Sequence, residues 1–392
     1  MVDVSVADSM LNEDESAFRG VVRTFMENEV RPLVDAMERD GRPPEGLLKK
    51  MGVAGILGPF APEEYGGGGG SLMTRALVAE ETARINAGLD ISLFVNMSLV
   101  ARHLIERGTA EQKTKYLTPL VSGDAWASIC ITEPHGGSNA LSPKTTAVQD
   151  GDDWVINGSK TFITNAPIAS FFLVFARTSG EDRRARGGTC IIVERDTAGL
   201  SVGRPFDKLS MRSSPTAEVF FDNVRVPAVN VLGEVDQGFY YMLEGLDLER
   251  VFEGCSNIGS LQACLDLAVD YSNQREVFGQ QLSSYQLTQD KIARMATGLE
   301  MSRVMCYHLV RALERGEVVT RAASVLKLYS STAAMEAASD LVQLLGGYGL
   351  MEEYPAARLF RDAKHHEIGA GTSEVQKIVI ARETLKAADV SA

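Results

Sequence analysis

In the stretch MLEGLDLERVFEGCS, residues 242 to 256, Glu249 shares a helical stripe with Met242, Leu246 and Phe252. Its neighbours at i−4 and i+4 are Gly245 and Glu253, so no basic residue pairs with it along the helix. A carboxylate on an apolar stripe has a raised pKa and can act as a general base once a ligand dries its surroundings. Neutralisation by Arg250 or by a residue distant in sequence is the competing reading.

Three further segments are rich in glycine and hydroxyls. In ITEPHGGSNA (131 to 140), Thr132, Ser138 and the amides of Gly136 and Gly137 suit a flat polar ring or a pyrophosphate, or else form a turn between domains. TFITNA (161 to 166) places Phe162 and Thr164 on one face of a strand. GAGTSE (369 to 374) offers small residues followed by hydroxyls, suited to close approach of a ligand or to a helix-breaking turn.

Absences narrow the chemistry. There is no Gly-Lys pair, which excludes a P-loop, and no H-E-x-x-H. The histidines (His103, His135, His308, His365, His366) form no ligand set with spaced carboxylates, and adjacent His365 and His366 diverge on a helix, so no metal site is expected. The glycine run between Tyr65 and Ser71 reads as a flexible connector and not as a phosphate cradle, because no strand precedes it.

The elements that must position these residues follow from periodicity. Apolar positions at helical spacing, among them Val21, Val22, Phe25, Met26, Val30 and Leu33, then Leu77, Val78, Ile85 and Leu89, predict an N-terminal helical domain over 1–122. Over 123–235 the period shortens, with a hairpin turn expected at Asn157-Gly158 and strands over Phe171 to Ala176, Thr189 to Glu194 and Glu218 to Val226. This predicts a small antiparallel sheet or barrel, with Glu181 to Gly188 as an exposed loop. Helical spacing returns over 236–392, as in Leu261, Cys264, Leu265, Ala268 and Tyr271, and predicts a bundle. Helices, then strands, then helices make an α+β chain of segregated domains.

Composition agrees. Residues are 45% hydrophobic and 23% charged, as in ordinary globular chains. A net charge of −13 opposes non-specific attraction to nucleic acid or anionic lipid. No run of about 18 apolar residues suggests membrane insertion. Five scattered cysteines without a C-x-x-C pair suit a reducing compartment, and the N-terminus resembles neither a signal nor a transit peptide. A cytoplasmic protein is expected, or a matrix-type protein whose leader has been removed.

Together the segments resemble the acyl-CoA dehydrogenase family along almost the whole chain. The residues that carry the likeness are PEEYGG at 62–67, ITEPHGGSNA at 131–140, INGSKTFITNA at 156–166, REVFGQ at 275–280, QLLGGYG at 343–349 and GTSEVQKIVIARE at 371–383. The resemblance implies an N-terminal helical domain, a central β-barrel domain, a C-terminal four-helix bundle, one FAD per subunit and a homotetramer. Many members carry a catalytic glutamate immediately before Gly-Thr-Ser, where this chain has Ala370 preceded by Gly369. GLDLER at 245–250 looks like the isovaleryl-type branch, which implies that Glu249 is the base and that the backbone amide of Ala370 helps to polarise the thioester oxygen. The small Gly369-Ala370 pair leaves room for a short branched acyl group.

The likeness also assigns binding roles. Ile131, Thr132, Ser138, Phe162, Ile163 and Thr164 would meet the flavin. Arg275, Phe278, Gln286, Gln343, Gly346, Gly347, Thr372 and Glu374 would hold its adenine dinucleotide part, partly across a subunit interface. Ser138, Tyr240, Asp247, Arg250, Gly369, Ala370 and Gly371 would face the acyl-CoA, and an electron-transfer flavoprotein would accept the electrons. Phe162 replaces a common tryptophan, and His135 and Asn139 replace a small residue and an aspartate. Other readings are an aromatic or dicarboxylic acyl-CoA, a carrier-bound acyl or aminoacyl chain, a flavin monooxygenase, or a non-catalytic thioester-binding subunit. Asp90 would repel a dicarboxylate if it lies at the pocket's end, and Glu249 argues against a monooxygenase.

Overall fold

A computed structural model describes residues 5–180 and 186–390; the core of the expected loop at Glu181 lies outside these residues. The first long helix, Glu13–Phe25, starts at a reciprocal cap in which Asn12 Oδ1 accepts from the Glu15 amide and Glu15 accepts from the Asn12 amide. Its apolar stripe buries Val22 and leads to buried Met26 and Val30, whereas Val21 stays 55% exposed, one position off the stripe. The most apolar helical stretch, Ala87–Arg107, is mostly inside the protein, as a core helix.

The glycine run after Tyr65 is ordered. The amides of Gly67, Gly68, Gly69 and Gly70 donate inward to carbonyls of Pro62, Gly58, Ala61 and Pro59. A Cβ on Gly67 would stand 2.1 Å from the Ala61 carbonyl oxygen. The expected flexible connector is thus a packed loop, and with those donors committed it has no amides left to cradle phosphate.

The middle segment forms one seven-stranded sheet in the order β1-β4-β2-β3-β7-β6, with β5 added against β4. The strands are β1 (Ala127–Cys130), β2 (Thr146–Asp150), β3 (Asp153–Thr164), β4 (Phe171–Arg177), β5 (Gly188–Glu194), β6 (Leu200–Val202) and β7 (Thr216–Pro227). It is mixed and not purely antiparallel, because β4 runs parallel to both β1 and β2. The apolar run in β4 is continuous because both its faces are covered. Phe171, Leu173 and Phe175 join the helical core, while Phe172, Val174 and Ala176 join the core of the β-domain.

The expected hairpin turn at Asn157-Gly158 is a correction. β3 runs straight through it, and β2 turns into β3 at Gly151, which supplies the positive φ. Gly158 instead marks a bulge against β7, where a Cβ would stand 2.6–2.8 Å from Thr145.

Four long helices, Leu246–Gln274, Gln286–Glu314, Thr320–Leu345 and Ser373–Val390, form the C-terminal part, with Pro355–His366 leading into the last of them. The 246–274 helix lies close against the Leu72–Ile85 helix, since a Cβ on Gly259 would stand 2.3 Å from the Glu80 carbonyl oxygen. All five cysteines are free and buried, and Cys255 and Cys306 lie side by side.

Candidate active site

A cleft of about 600 Å³ opens where the sheet meets the C-terminal helices. Thr132, Ser138, Phe162 and Thr164 line one side, and Gly369, Ala370, Gly371 and Thr372 the other. Phe162 is in the left-handed region (φ 56°) at an irregularity in β3, so that it and Thr164 face the cleft. Ile163 points the other way, into the β-domain core, so its side chain does not meet a ligand here. The Phe162 ring is 67% exposed and leans on Phe206 at 5.5 Å.

The loop beginning at Ile131 is anchored by a pair that the sequence reading missed. Lys160 Nζ, fully buried, donates to Glu133 (2.8 Å) and to the Ile131 carbonyl (3.1 Å), and the Lys144 and Thr145 amides also donate to Glu133. Burial opposes the charge on Glu133, yet the Lys160 ammonium and these donors hold its carboxyl below the usual range. Two polar residues 27 positions apart, one in a loop and one in a strand, carry no signal for such a pair.

Across the cleft, Ala370 has φ 50° and Gly371 φ 88°. A left-handed alanine costs roughly 1–2 kcal/mol, and the surroundings hold it there. Gln376 Nε2 donates to the carbonyls of Ala370 (3.2 Å) and Gly371 (2.9 Å), and buried Lys327 Nζ donates to Gly371 at 2.7 Å. A Cβ at Gly369 would stand 2.6 Å from the His365 ring, so a larger residue there would have to displace that ring.

Glu249 lies on the first turn of the 246–274 helix, partly buried. Burial pushes its carboxyl pKa up to about 7, with Arg102 and Arg250 pulling the other way. Among the described residues no ion pair forms to it. Gly245 makes room for this arrangement, since a Cβ there would stand 2.5 Å from Arg102 Nη1 and 3.4 Å from Glu249 Oε1. Arg102, from the helix Arg102–Arg107, is the distant cation that helical spacing could not reveal.

Other expected site residues fall outside this cleft. Asp247 accepts from Arg250 (3.0 Å) and Thr320 (2.6 Å) and lines a second cavity of about 440 Å³ with Arg102, Leu248 and Phe252. Glu249 itself lines neither. Tyr240 and Glu374 are exposed. Arg275, Phe278, Gln286, Gln343, Gly346 and Gly347 are exposed at the far ends of the bundle helices, and one chain does not bring them to the cleft. Phe278 is 96% exposed in a left-handed conformation.

The structure also gathers a cluster that sequence spacing concealed. Glu253, His365 and His366 place their polar atoms within 4.8 Å of one another. The two rings do diverge, at 79°, but Glu253 arrives from another helix. His366 Nδ1 meets Glu253 at 2.9 Å and its Nε2 meets Ser260 at 3.0 Å, so both ring nitrogens are engaged with protein.

Three domain families match the chain in order: acyl-CoA dehydrogenase N-terminal domain over residues 12–124, middle domain over 128–224 and C-terminal domain over 236–385. The chain belongs to the acyl-CoA dehydrogenase family. An acyl-CoA dehydrogenase of Bacillus subtilis (strain 168) is 38% identical, over 96% of this chain and 99% of the relative. The mitochondrial isovaleryl-CoA dehydrogenase of Oryza sativa subsp. japonica is 38% identical, over 97% and 94%. The solved butyryl-CoA dehydrogenase of Megasphaera elsdenii superposes with a TM-score of 0.92 at 36% identity, over 96% and 99%. This acyl-CoA dehydrogenase is accordingly a flavin oxidoreductase acting on a CH–CH bond, with FAD as cofactor. The cleft suits that group, with an exposed aromatic ring at Phe162, hydroxyls at Thr132, Ser138 and Thr164, and a loop bare of bulky side chains at 369–371.

Proposed function

We propose that this dehydrogenase oxidises a short, branched acyl-CoA across its α,β bond, with Glu249 as the base. The observation that carries the reading is a helix-borne carboxyl poised near pH 7 in a chain whose Gly369-Ala370 loop has no carboxylate of its own. Glu249 takes the α-proton. The amide of Ala370, aimed by its left-handed backbone, donates to the thioester oxygen and stabilises the enolate charge that develops as the proton leaves. When bound in the cleft, FAD would supply the acceptor for the β-hydrogen, which would leave as hydride.

The remaining assignments belong to the same reading. Thr132, Ser138, Phe162 and Thr164 bed the flavin ring, with Ile131 and Ile163 acting through the backbone. Arg275, Phe278, Gln286, Gln343, Gly346 and Gly347, exposed in one chain, serve the dinucleotide of a neighbouring subunit in a homotetramer, and Thr372 and Glu374 complete that site. Asp247, Arg250 and Tyr240 lie along the approach of the CoA chain. The enzyme works in the cytoplasm and passes electrons to an electron-transfer flavoprotein. Anaerobic titration with isovaleryl-CoA tests the reading: bleaching of the flavin absorbance is expected, and a flavin left oxidised by isovaleryl-, butyryl- and pentanoyl-CoA alike overturns it.

A further inference from the structure

Lys208 is a charged side chain of the cleft that the proposed reaction does not use. It lines the wall that also carries Phe162 and Thr164. Its Nζ donates to the Thr216 hydroxyl at 3.0 Å and to the Ser214 carbonyl. An ammonium has three N–H donors, and among the described residues the third has no partner.

Thr216 fixes where this ammonium stands. In the ladder between β3 and β7 it is the direct partner of Thr164, which sets their Cβ atoms about 5 Å apart. Phe162 and Thr164 face the cleft from β3, and Lys208 reaches the same wall from the loop that enters β7. The ammonium is therefore on the side of the cleft that suits a flat ring.

This charge stands without a counter-ion. Glu133 also lines the cleft but is neutralised by Lys160. His365 adds no charge at neutral pH, because burial pushes its pKa down to about 4. Asp362 and Glu38 attract Lys208 through the protein, yet among the described residues neither forms an ion pair with it. Burial lowers the pKa of Lys208 to about 8, which leaves it mostly protonated at neutral pH. A partly buried cation with no partner is costly, so it favours negative charge entering the cleft.

The reaction brings such a charge. Breaking the β-C–H bond moves a hydride, with both bonding electrons, to a neutral oxidised flavin, while the α-proton passes to Glu249 and the α,β double bond forms. The ring side of the cleft thereby gains one negative charge. A fixed cation beside it stabilises that charged state more than the neutral one.

We infer that Lys208 raises the reduction potential of the bound flavin by holding an uncompensated positive charge beside its ring. The inference rests on the part of the proposed function that beds the flavin on Phe162 and Thr164, and not on the acyl group or on Glu249. The test is the two-electron reduction potential of substrate-free, flavin-loaded protein, measured by equilibration with a reference dye at neutral pH. Lys208→Met should lower the equilibrium constant for reduction at least about tenfold, a fall of about 30 mV, and Lys208→Arg should keep most of the parent value. Ser210→Asp adds a carboxylate to the same wall and should lower the potential likewise. A potential unchanged in Lys208→Met, or in Ser210→Asp where Lys208→Met does not fold, overturns the inference. A fall of equal size in Lys208→Arg also overturns it, because packing and not charge is then responsible. Weaker FAD retention at an unchanged potential overturns it too, and marks Lys208 as a dinucleotide contact. If the potential shifts as expected while isovaleryl-, butyryl- and pentanoyl-CoA all leave the flavin oxidised, the inference stands and the proposed substrate class alone fails.

Discussion

In its proposed role as base Glu249 must be ionised, and burial pushes its pKa up to about 7, so near neutrality roughly half of the free enzyme would hold it in that form. Because the carboxyl is raised, activity is lost on the acid side: kcat/KM should fall about tenfold per pH unit below 7 and level off above it. A profile flat from pH 5.5 to 8.5 would show that another group limits the reaction. Glu249→Gln should keep FAD and bind the thioester, yet lose most substrate bleaching; near-normal bleaching removes Glu249 from its role. Arg102, opposite Gly245, opposes this upward shift. Arg102→Gln should therefore move the acid limb of the profile to higher pH, read from the same kcat/KM curve.

At the scale of elements, the proposed base rides on the 246–274 helix, which is set against the rest of the chain within a narrow tolerance. Gly259 permits its contact with the Leu72–Ile85 helix, where an added Cβ would lie 2.3 Å from a carbonyl oxygen and 2.8 Å from the Ala83 Cβ. Gly259→Ala should destabilise the fold by about 1–3 kcal/mol and reduce turnover, measured as a lower thermal midpoint together with a lower kcat. Lys327 acts on the opposite wall. Without its bond to the Gly371 carbonyl the left-handed Ala370 is held by Gln376 alone. Lys327→Met should lower kcat more than it raises KM, because the Ala370 amide is then less well aimed at the thioester oxygen.

Across the whole molecule, the residues proposed to hold the dinucleotide are exposed in one chain. Phe278 at 96% exposure and Leu287 at 81% are near Arg275 and Gln286 in sequence. Phe278→Ser should weaken both assembly and FAD retention, followed by light scattering and by the ratio of flavin to protein absorbance after gel filtration. A variant that keeps its oligomeric state and its flavin would place the dinucleotide elsewhere. The net charge of −13 is spread over the whole chain.

The order of helices, strands and helices, the burial of the 246–274 stripe and the oddity of Glu249 were all legible in the chain, because each rests on local periodicity or on neighbours within one turn. The motifs around Thr132, Phe162 and Ala370 were legible for the same reason, and three of them line one cleft. Local patterns misled where packing intervened. Asn157-Gly158 has the composition of a turn, but its strand continues because Gly151 turns first, and the glycine run that suggests slack is tied down by its own amides. What only the tertiary structure decided are contacts between residues far apart in sequence: Lys160 with Glu133, Arg102 beside Glu249, Glu253 with His366, and Asp90 facing Arg75. Such pairs leave no periodic trace, since each partner's position is set by a different element and their meeting by how those elements pack.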